Sequence, residues 1–239
     1  MGKLYLIPTP ICSQETDDFP LAFGPHVIKD IRIFMAEEER AARKFLKKAC
    51  PGLPFNDCRF FLLSEHTSPP QAIQFLHENK KENIGILSEA GCPCIADPGS
   101  EVVLEAHRLG MEVLPLAGPS SIFLALMASG LNGQNFSFQG YLPKDKQERF
   151  KKVNTLEQAS QRDGRTQIFM ETPYHNQTLW AELLSVLAAD TLLCIAIDLT
   201  GPSQSITTKT AREWKKLNPP PLHKRPALFL LQGSQSRKF

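Results

Sequence analysis

The chain has 239 residues, of which 42% are hydrophobic and 22% are charged, a balance typical of globular proteins. Its formal net charge of +2 is too small by itself to indicate a nucleic-acid partner. The longest unbroken apolar run, residues 122–128, is far shorter than the ~20 residues of a membrane-spanning helix. The first ten residues hold no apolar leader before their prolines, so we expect a soluble, cytoplasmic protein without a membrane partner.

The first half of the chain alternates short β-rich runs with amphipathic helical patterns. Strands are predicted at residues 4–7, 31–35, 59–63, 84–87 and 113–116. Helices are predicted at residues 38–49, from Ser68 and Pro69 onwards, and at residues 100–109. This alternation favours a mostly parallel, doubly wound sheet.

The second half begins at the turn "AGPSS", which looks like a hinge near Gly118. Strands are predicted at residues 136–141, 166–170, 192–197, 205–209 and 227–231, and helices at residues 122–128, 173–187 and 211–217. Helices interrupt the last strands less often, which favours a mixed sheet. The sequence therefore predicts an α/β protein of two domains, residues 1–117 and 118–239.

The six cysteines show no metal-site spacing and are interpreted as reduced thiols. Their only close pair is Cys92 and Cys94, in a C-P-C arrangement that fits neither a redox C-x-x-C motif nor a zinc set. The histidines lack H-x-x-x-H or H-E-x-x-H spacing, so no metal is predicted.

Residues 88–100, "SEAGCPCIADPGS", concentrate glycines and prolines directly after a predicted strand. A long surface turn is one interpretation. In open α/β sheets, however, ligands bind beyond the carboxyl ends of the strands. Small residues there let a ligand approach backbone groups, so the segment is a candidate ligand loop.

Six motifs follow one another along the chain and together carry a family resemblance. They are "IPTP" (7–10), "SEAGCPCIADPG" (88–99), "PLAGPSS" (115–121), "ASGL" (128–131), "FQGYLP" (138–143) and "IFMETPYH" (168–175). In this order they resemble the tetrapyrrole methylase superfamily, the class III S-adenosylmethionine methyltransferases. Within it, the chain is most similar to members that methylate small-subunit ribosomal RNA.

The resemblance implies two α/β domains of the tetrapyrrole methylase type, a homodimer, and S-adenosylmethionine bound in the cleft between the domains. It implies a ribose 2′-hydroxyl of small-subunit ribosomal RNA as acceptor, and the small ribosomal subunit as partner. The implied donor-binding residues are Pro10, Gly91, Cys92, Pro93, Ile95, Ala96, Asp97, Ser120, Ser121, Ile122, Met170, Leu199 and Ala227. Asp97, which precedes a proline, is alternatively a cap for the next helix.

An alcohol acceptor benefits from a general base, and Glu89 and Glu171 are the candidate catalytic carboxylates within the motifs. Three segments depart from the family pattern. "TPICSQETDD" (9–18) replaces T-P-I-G followed by N-L-G-D, "EEER" (37–40) replaces E-D-T-R, and "IDLTGPSQS" (197–205) replaces R-E-L-T-K. We therefore expect the donor site to be better retained than the acceptor site.

Two alternatives stay open: methylation of a small or macrocyclic, tetrapyrrole-like acceptor, and a non-catalytic module that binds S-adenosylmethionine or RNA. The clusters "RAARKFLKK" (40–48) and "KDKQERFKK" (144–152) each hold five basic residues. Such clusters either neutralise RNA phosphates or form ordinary solvated helix faces.

Overall fold

The computed structural model describes residues 1–12 and 24–234. Contacts divide the chain into two compact units, Met1–Ser120 and Ser121–Phe239. Each unit contains one five-stranded sheet covered by helices, which confirms the predicted α/β fold class. Residues 13–18 of the altered "TPICSQETDD" segment lie outside the described residues.

The first unit is built on a parallel sheet of spatial order β3-β2-β4-β1-β5. Its strands are β1 (Lys3–Ile7), β2 (Ile33–Ala36), β3 (Arg59–Leu62), β4 (Ile84–Leu87) and β5 (Glu112–Pro115). Its helices are α1 (Pro25–Ile28), α2 (Glu39–Ala49), α3 (Pro69–Asn79) and α4 (Ser100–Arg108), with a short 3-10 helix at Phe55–Asp57. Because all five strands are parallel, their carboxyl ends lie at one edge of the sheet.

Helices cover both faces of this sheet, as the prediction of double winding requires. Alternate residues of β2 show the two faces, since side chains on a strand point to opposite sides. Phe34 packs in one core cluster with Leu46 of α2. Ile33 packs in the other cluster with Leu76 of α3 and Ala106 of α4.

The second unit has a mixed sheet of order β6-β7-β10-β8-β9, in which only the β6–β7 pair is parallel. Its strands are β6 (Phe136–Tyr141), β7 (Thr166–Met170), β8 (Leu192–Ile197), β9 (Ser205–Thr210) and β10 (Ala227–Gln232). Its helices are α5 (Ser121–Ser129), α6 (Lys146–Asp163), α7 (Asn176–Val186) and α8 (Ala211–Trp214). Leu156 of α6 and Leu183 of α7 pack with Phe169 and Phe229 of the sheet in one core.

All ten predicted strands are present within two residues of their predicted ends. Two of the predicted helices differ in their bounds, and α1 and α6 were not among the predicted helices. The predicted helix 173–187 begins only at Asn176, because the backbone N–H of His175 closes a turn onto the Thr172 carbonyl. The predicted helix 211–217 ends at Trp214, after which the amides of Lys216 and Leu217 bond to carbonyls three residues back. Within the described residues, no helix is long and apolar enough to cross a membrane.

Candidate active site

The loops that follow β1 and β4 are joined at the carboxyl edge of the first sheet. Thr9 and Gly91 form an antiparallel bridge, with N···O distances of 2.9 and 3.0 Å. The Thr9 hydroxyl donates to the Ser88 carbonyl at 3.2 Å, and the Ser88 hydroxyl donates to the Gly91 carbonyl at 2.6 Å. These groups are buried, so the network fixes the start of the candidate ligand loop. The N–H and C=O of Gly91 are both used within the protein.

The turn after β5 meets the same two loops. The Sγ of Cys92 donates to the Pro119 carbonyl at 3.3 Å. A Cβ on Gly118 would lie 2.3 Å from the Cβ of Pro8, so only glycine fits there. Gly91 has φ +82°, a backbone conformation that side chains rarely adopt. Three loops from distant parts of the sequence therefore converge within the first unit, and Ser120 follows directly.

The loop at residues 92–98 exposes some of the predicted donor-binding residues and buries others. Ile95 is 45% exposed and Ala96 is also exposed, whereas Pro93 is buried. Cys94 and Ala96 have φ values of +65° and +62°, unusual for residues other than glycine. Non-glycine residues in this region cost roughly 1–2 kcal/mol each, and such strain is concentrated at functional sites.

Carboxylates from three strand ends gather at this edge. Burial, followed by the charges of Glu37 and Glu89, raises the pKa of Asp97 to about 6. Burial also raises the pKa of Glu37, with Glu89 and Glu65 adding to the effect. Asp97 does not cap the following helix, whose N-cap is Gly99 with no side-chain cap bond.

This acidic edge favours a positively charged ligand. Among residues 1–12 and 24–234, no lysine, arginine or histidine forms an ion pair with Glu37, Glu89 or Asp97. Sequence reasoning named Glu89 as a candidate base and Asp97 as a donor contact, but it missed the grouping with Glu37. The position of Glu37 could have predicted this grouping, because Glu37 follows the carboxyl end of β2 directly.

The two thiols of the loop are unsuited to act as nucleophiles. Burial raises the pKa of the Cys92 thiol. Burial, followed by the charges of Asp97 and Glu101, raises the pKa of Cys94 to about 11. Because the thiolate is the reactive form, both side chains are inert at neutral pH. All six cysteines are free, in agreement with the prediction of reduced thiols.

In the second unit, three predicted donor-binding residues lie at one end of the sheet. Met170 pairs with the second residue of β10, next to Ala227, and Ala227 pairs with the last residue of β8. Leu199 follows two residues later and is 5% exposed. Asp198 N–H donates to the Pro226 carbonyl at 3.0 Å, which holds this turn against the start of β10. Ser121 and Ile122 form the first turn of α5 and are half-buried.

Glu171 follows Met170 directly and lies at the same end of the second sheet. Its side chain is 14% exposed, and its Oε1 accepts a hydrogen bond from the Thr172 N–H at 2.7 Å. The same oxygen lies 4.0 Å from Nδ1 of His175. The hydrogen bond to the Thr172 N–H therefore restrains the orientation of this carboxylate.

A sequence model of the family described as Tetrapyrrole (Corrin/Porphyrin) Methylases matches residues 24–215 of the chain, well over half of it. The chain belongs to this family. Membership confirms the resemblance predicted from the motifs, and it confirms that the protein is a methyltransferase. A family of methylases also implies a bound methyl donor.

Three curated relatives of the chain share one name. The chain is 30% identical over 213 residues to the ribosomal RNA small subunit methyltransferase I of Bacillus subtilis (strain 168), a match covering 89% of this chain and 69% of that protein. It is 32% identical over 206 residues to the protein of the same name from Vibrio cholerae serotype O1, covering 85% and 67%. For the protein of that name from Thermotoga maritima, the identity is 30% over 203 residues, covering 84% of each chain.

Two solved structures share the fold of the chain. Diphthine synthase aligns with a TM-score of 0.67 at 14% identity, covering 97% of this chain and 90% of that one. The methyltransferase CobJ aligns with a TM-score of 0.63 at 15% identity, covering 100% and 97%. Identities this low establish the fold alone.

Proposed function

We propose that the protein transfers a methyl group from S-adenosylmethionine to a ribose 2′-hydroxyl of small-subunit ribosomal RNA. One observation carries the donor half of this proposal: the Thr9–Gly91 bridge and the Cys92–Pro119 hydrogen bond bring three loops together. They lie beside carboxylates that form no ion pair within the described residues. The names of the curated relatives support the acceptor half.

The proposed donor-binding residues come from both predicted domains, residues 1–117 and 118–239. The residues that would hold the donor are Pro10, Gly91, Cys92, Pro93, Ile95, Ala96, Asp97, Ser120, Ser121, Ile122, Met170, Leu199 and Ala227. S-adenosylmethionine carries a sulfonium and an ammonium group, so the carboxylates of Glu37, Glu89 and Asp97 suit its positive charge. Because the amide and carbonyl of Gly91 are already paired, Gly91 contributes through the shape of the loop.

When bound, the donor supplies a methyl carbon activated by its positively charged sulfur, to which the acceptor oxygen bonds as the carbon–sulfur bond breaks. The protein positions the acceptor, an effect that contributes up to roughly 7–11 kcal/mol in well-oriented reactions. A carboxylate accepts the hydroxyl proton, for which Glu89 and Glu171 are the proposed bases. Asp97 is a further candidate because a pKa of about 6 lies close to neutral pH, where a general base works best.

We infer that the enzyme acts in the cytoplasm, where ribosomal subunits are found, and that it works as a homodimer. The dimer can be tested by sedimentation of the purified protein. A mass of about twice the 26.7 kDa chain supports the dimer, and a monomer at micromolar concentration contradicts it.

The test of the reaction uses 30S subunits from a strain that lacks the gene. The subunits are incubated with enzyme and methyl-labelled S-adenosylmethionine, and their RNA is digested to nucleosides for mass spectrometry. We expect label in one 2′-O-methyl nucleoside. As control, subunits from the parent strain should accept no label because their site is already methylated. Label on a base, or only in an added tetrapyrrole, would contradict the proposed acceptor.

A further inference from the structure

Helix α2 carries a dense row of positive charge that the candidate active site does not use. After Glu39 the helix contains no acidic residue. At 100° per residue its basic side chains fall within an arc of about 140°. We call this row the α2 ridge, and its members are Arg40, Arg43, Lys44, Lys47 and Lys48. The opposite face packs into the core through Ala42, Leu46 and Ala49.

This distribution differs from that of an ordinary solvated helix. Arg40 and Lys44, and likewise Arg43 and Lys47, are four residues apart, where like charges destabilise a helix. The helix dipole favours cations only in the last turn, which accounts for Lys47 and Lys48. The helix dipole gives no structural reason for the positive charges of Arg40 and Lys44.

The two glutamates that precede the ridge, Glu38 and Glu39, already have hydrogen-bond partners. The Glu38 carboxylate accepts the backbone N–H groups of Arg40 and Ala41 at 2.8 and 2.7 Å, which caps the helix. Glu39 accepts from Nε of Arg43 at 2.7 Å. In the part of the chain that the structure describes, no carboxylate forms an ion pair with Arg40, Lys44 or Lys47. Within the described residues, three cations of the ridge therefore have no carboxylate that competes with an external anion.

The ridge borders a concave surface, and aromatic rings lie beside two of its cations. A cavity of about 590 Å³ is lined by Glu38, Glu39, Arg40, Arg43, Lys44 and Lys47. The guanidinium carbon of Arg43 lies 4.2 Å from the centroid of the Phe60 ring, and Nζ of Lys47 lies 5.8 Å from that of Phe55. Cation–π contacts of this kind restrain the two charges in place.

The ridge starts at the edge of the sheet that carries the candidate active site. Helix α2 begins three residues after β2, and β2 pairs with β4, whose carboxyl end leads into residues 88–99. Arg40 is thus nearest to that edge, and Lys47 lies about 10 Å further along the helix.

We propose that the α2 ridge binds the phosphate backbone of the RNA strand that carries the methyl acceptor, on the side where the strand leaves the active site. This inference rests on the proposed function. An RNA strand fits better than a lipid surface, because the apolar face of α2 is already buried in the protein core.

The second basic cluster, residues 144–152, fits this role less well. Its Arg149 binds Glu182 at 2.7 Å and donates to the carbonyls of Pro143 and Lys144, each at 2.8 Å. Lys146 lies over the ring of Phe150. The fixed arginine of this cluster therefore holds the loop before α6 instead of an external anion.

The test compares two triple variants with equal charge change. The ridge variant is Arg40→Ala, Lys44→Ala, Lys47→Ala, in which alanine preserves the helix. The control variant is Lys29→Ala, Lys80→Ala, Lys81→Ala, whose residues precede the amino ends of β2 and β4 at the opposite edge. The probe is a fluorescein-labelled single-stranded RNA of twenty nucleotides, titrated by anisotropy at several salt concentrations.

We expect the ridge variant to bind this RNA roughly 10²-fold more weakly at ~0.1 M salt, with the slope of log K against log salt reduced by about 2. The rate at which the ridge variant methylates 30S subunits should fall together with its RNA affinity. Calorimetry should give an unchanged affinity of this variant for S-adenosylmethionine. The control variant should match the wild type in all three measurements.

The inference and the proposed function fail in different ways. Active wild-type enzyme together with a ridge variant of unchanged RNA affinity and salt slope would overturn the inference alone. Loss of binding to phosphatidylserine vesicles, without loss of RNA binding, would also overturn it. A wild-type protein that methylates no RNA would overturn the proposed function. If the ridge variant then also showed the wild-type salt slope of RNA binding, the inference would be overturned as well.

Discussion

The Sγ atom of Cys92 lies 3.3 Å from the carbonyl oxygen of Pro119, to which it donates a hydrogen bond. Burial keeps this thiol protonated by raising its pKa, so the donor is present at neutral pH. The contact joins residues 88–99 to the turn that ends in Ser120. Together with the Thr9–Gly91 bridge, it makes the convergence of loops a feature of the first unit itself.

The raised pKa of Asp97 predicts a pH-dependent effect on stability. Its ordinary pKa of 3.8 applies in the unfolded chain, and its folded value is about 6. The folded state therefore prefers the protonated carboxyl, and stability is lost as pH rises from about 4 through 6. We expect Asp97→Asn to stabilise the protein by about 1–2 kcal/mol at pH 7.5, after discounting for solvent around a half-buried group.

The measurement is chemical unfolding of both proteins between pH 3.5 and 8. The gain from Asp97→Asn should shrink to nothing below pH 4. Glu78→Gln serves as control, because Glu78 is exposed and its described hydrogen bond is to Gln74 on the same helix. A pH-independent difference between wild type and Asp97→Asn would contradict the prediction.

The buried hydroxyl of Thr9 predicts a local effect on the loop. Thr9→Val removes the hydrogen bonds to Ser88, at a cost of about 1–2 kcal/mol. We expect amide hydrogen exchange at Thr9 and Gly91 to accelerate by roughly tenfold, since these amides form the bridge. Thr155→Val, on the exposed side of α6, should leave both amides as protected as in the wild type. Equal protection in the two variants would show that the network does not hold the loop.

The proposed bases predict a selective loss of turnover. Removing a general base typically lowers the rate by 10²–10⁴-fold without affecting donor binding. We expect Glu89→Gln or Glu171→Gln to lower kcat by at least about 10²-fold, with the Kd for S-adenosylmethionine within a factor of three. Steady-state methylation of 30S subunits measures kcat and calorimetry measures the Kd, and Glu78→Gln again serves as control. Wild-type kcat in both variants would exclude both carboxylates.

The strands of both sheets could be predicted because local patterns determine them. Residues 84–87 form an apolar run bounded by polar residues and a turn, and β4 has these same ends. Helices α7 and α8 differ from their predicted bounds at ends where hydrogen bonds decide the boundary. Apolar spacing continues through residues 173–175, but the His175 N–H bonds to Thr172 as in a turn, so α7 starts later.

The contacts of the candidate site could be predicted only in part. Glycines and prolines marked residues 88–99 as a ligand loop, since their chemistry is local. The pairing of Thr9 with Gly91 joins residues 82 positions apart, and no local pattern specifies it. The grouping of Glu37 with Asp97 likewise depends on β2 lying beside β4, which the strand order decides.

The most direct test of the donor site is calorimetric titration of S-adenosylmethionine into wild type, Gly91→Val and Gly52→Val. Gly91 has φ +82° and faces the Pro119 carbonyl, so a β-branched side chain would force the loop to move, whereas a Cβ at Gly52 meets nothing within 4 Å. We predict that Gly91→Val abolishes donor binding while Gly52→Val binds like the wild type and both remain folded. Wild-type affinity in folded Gly91→Val would contradict the account, because the converging loops would then not form the donor site.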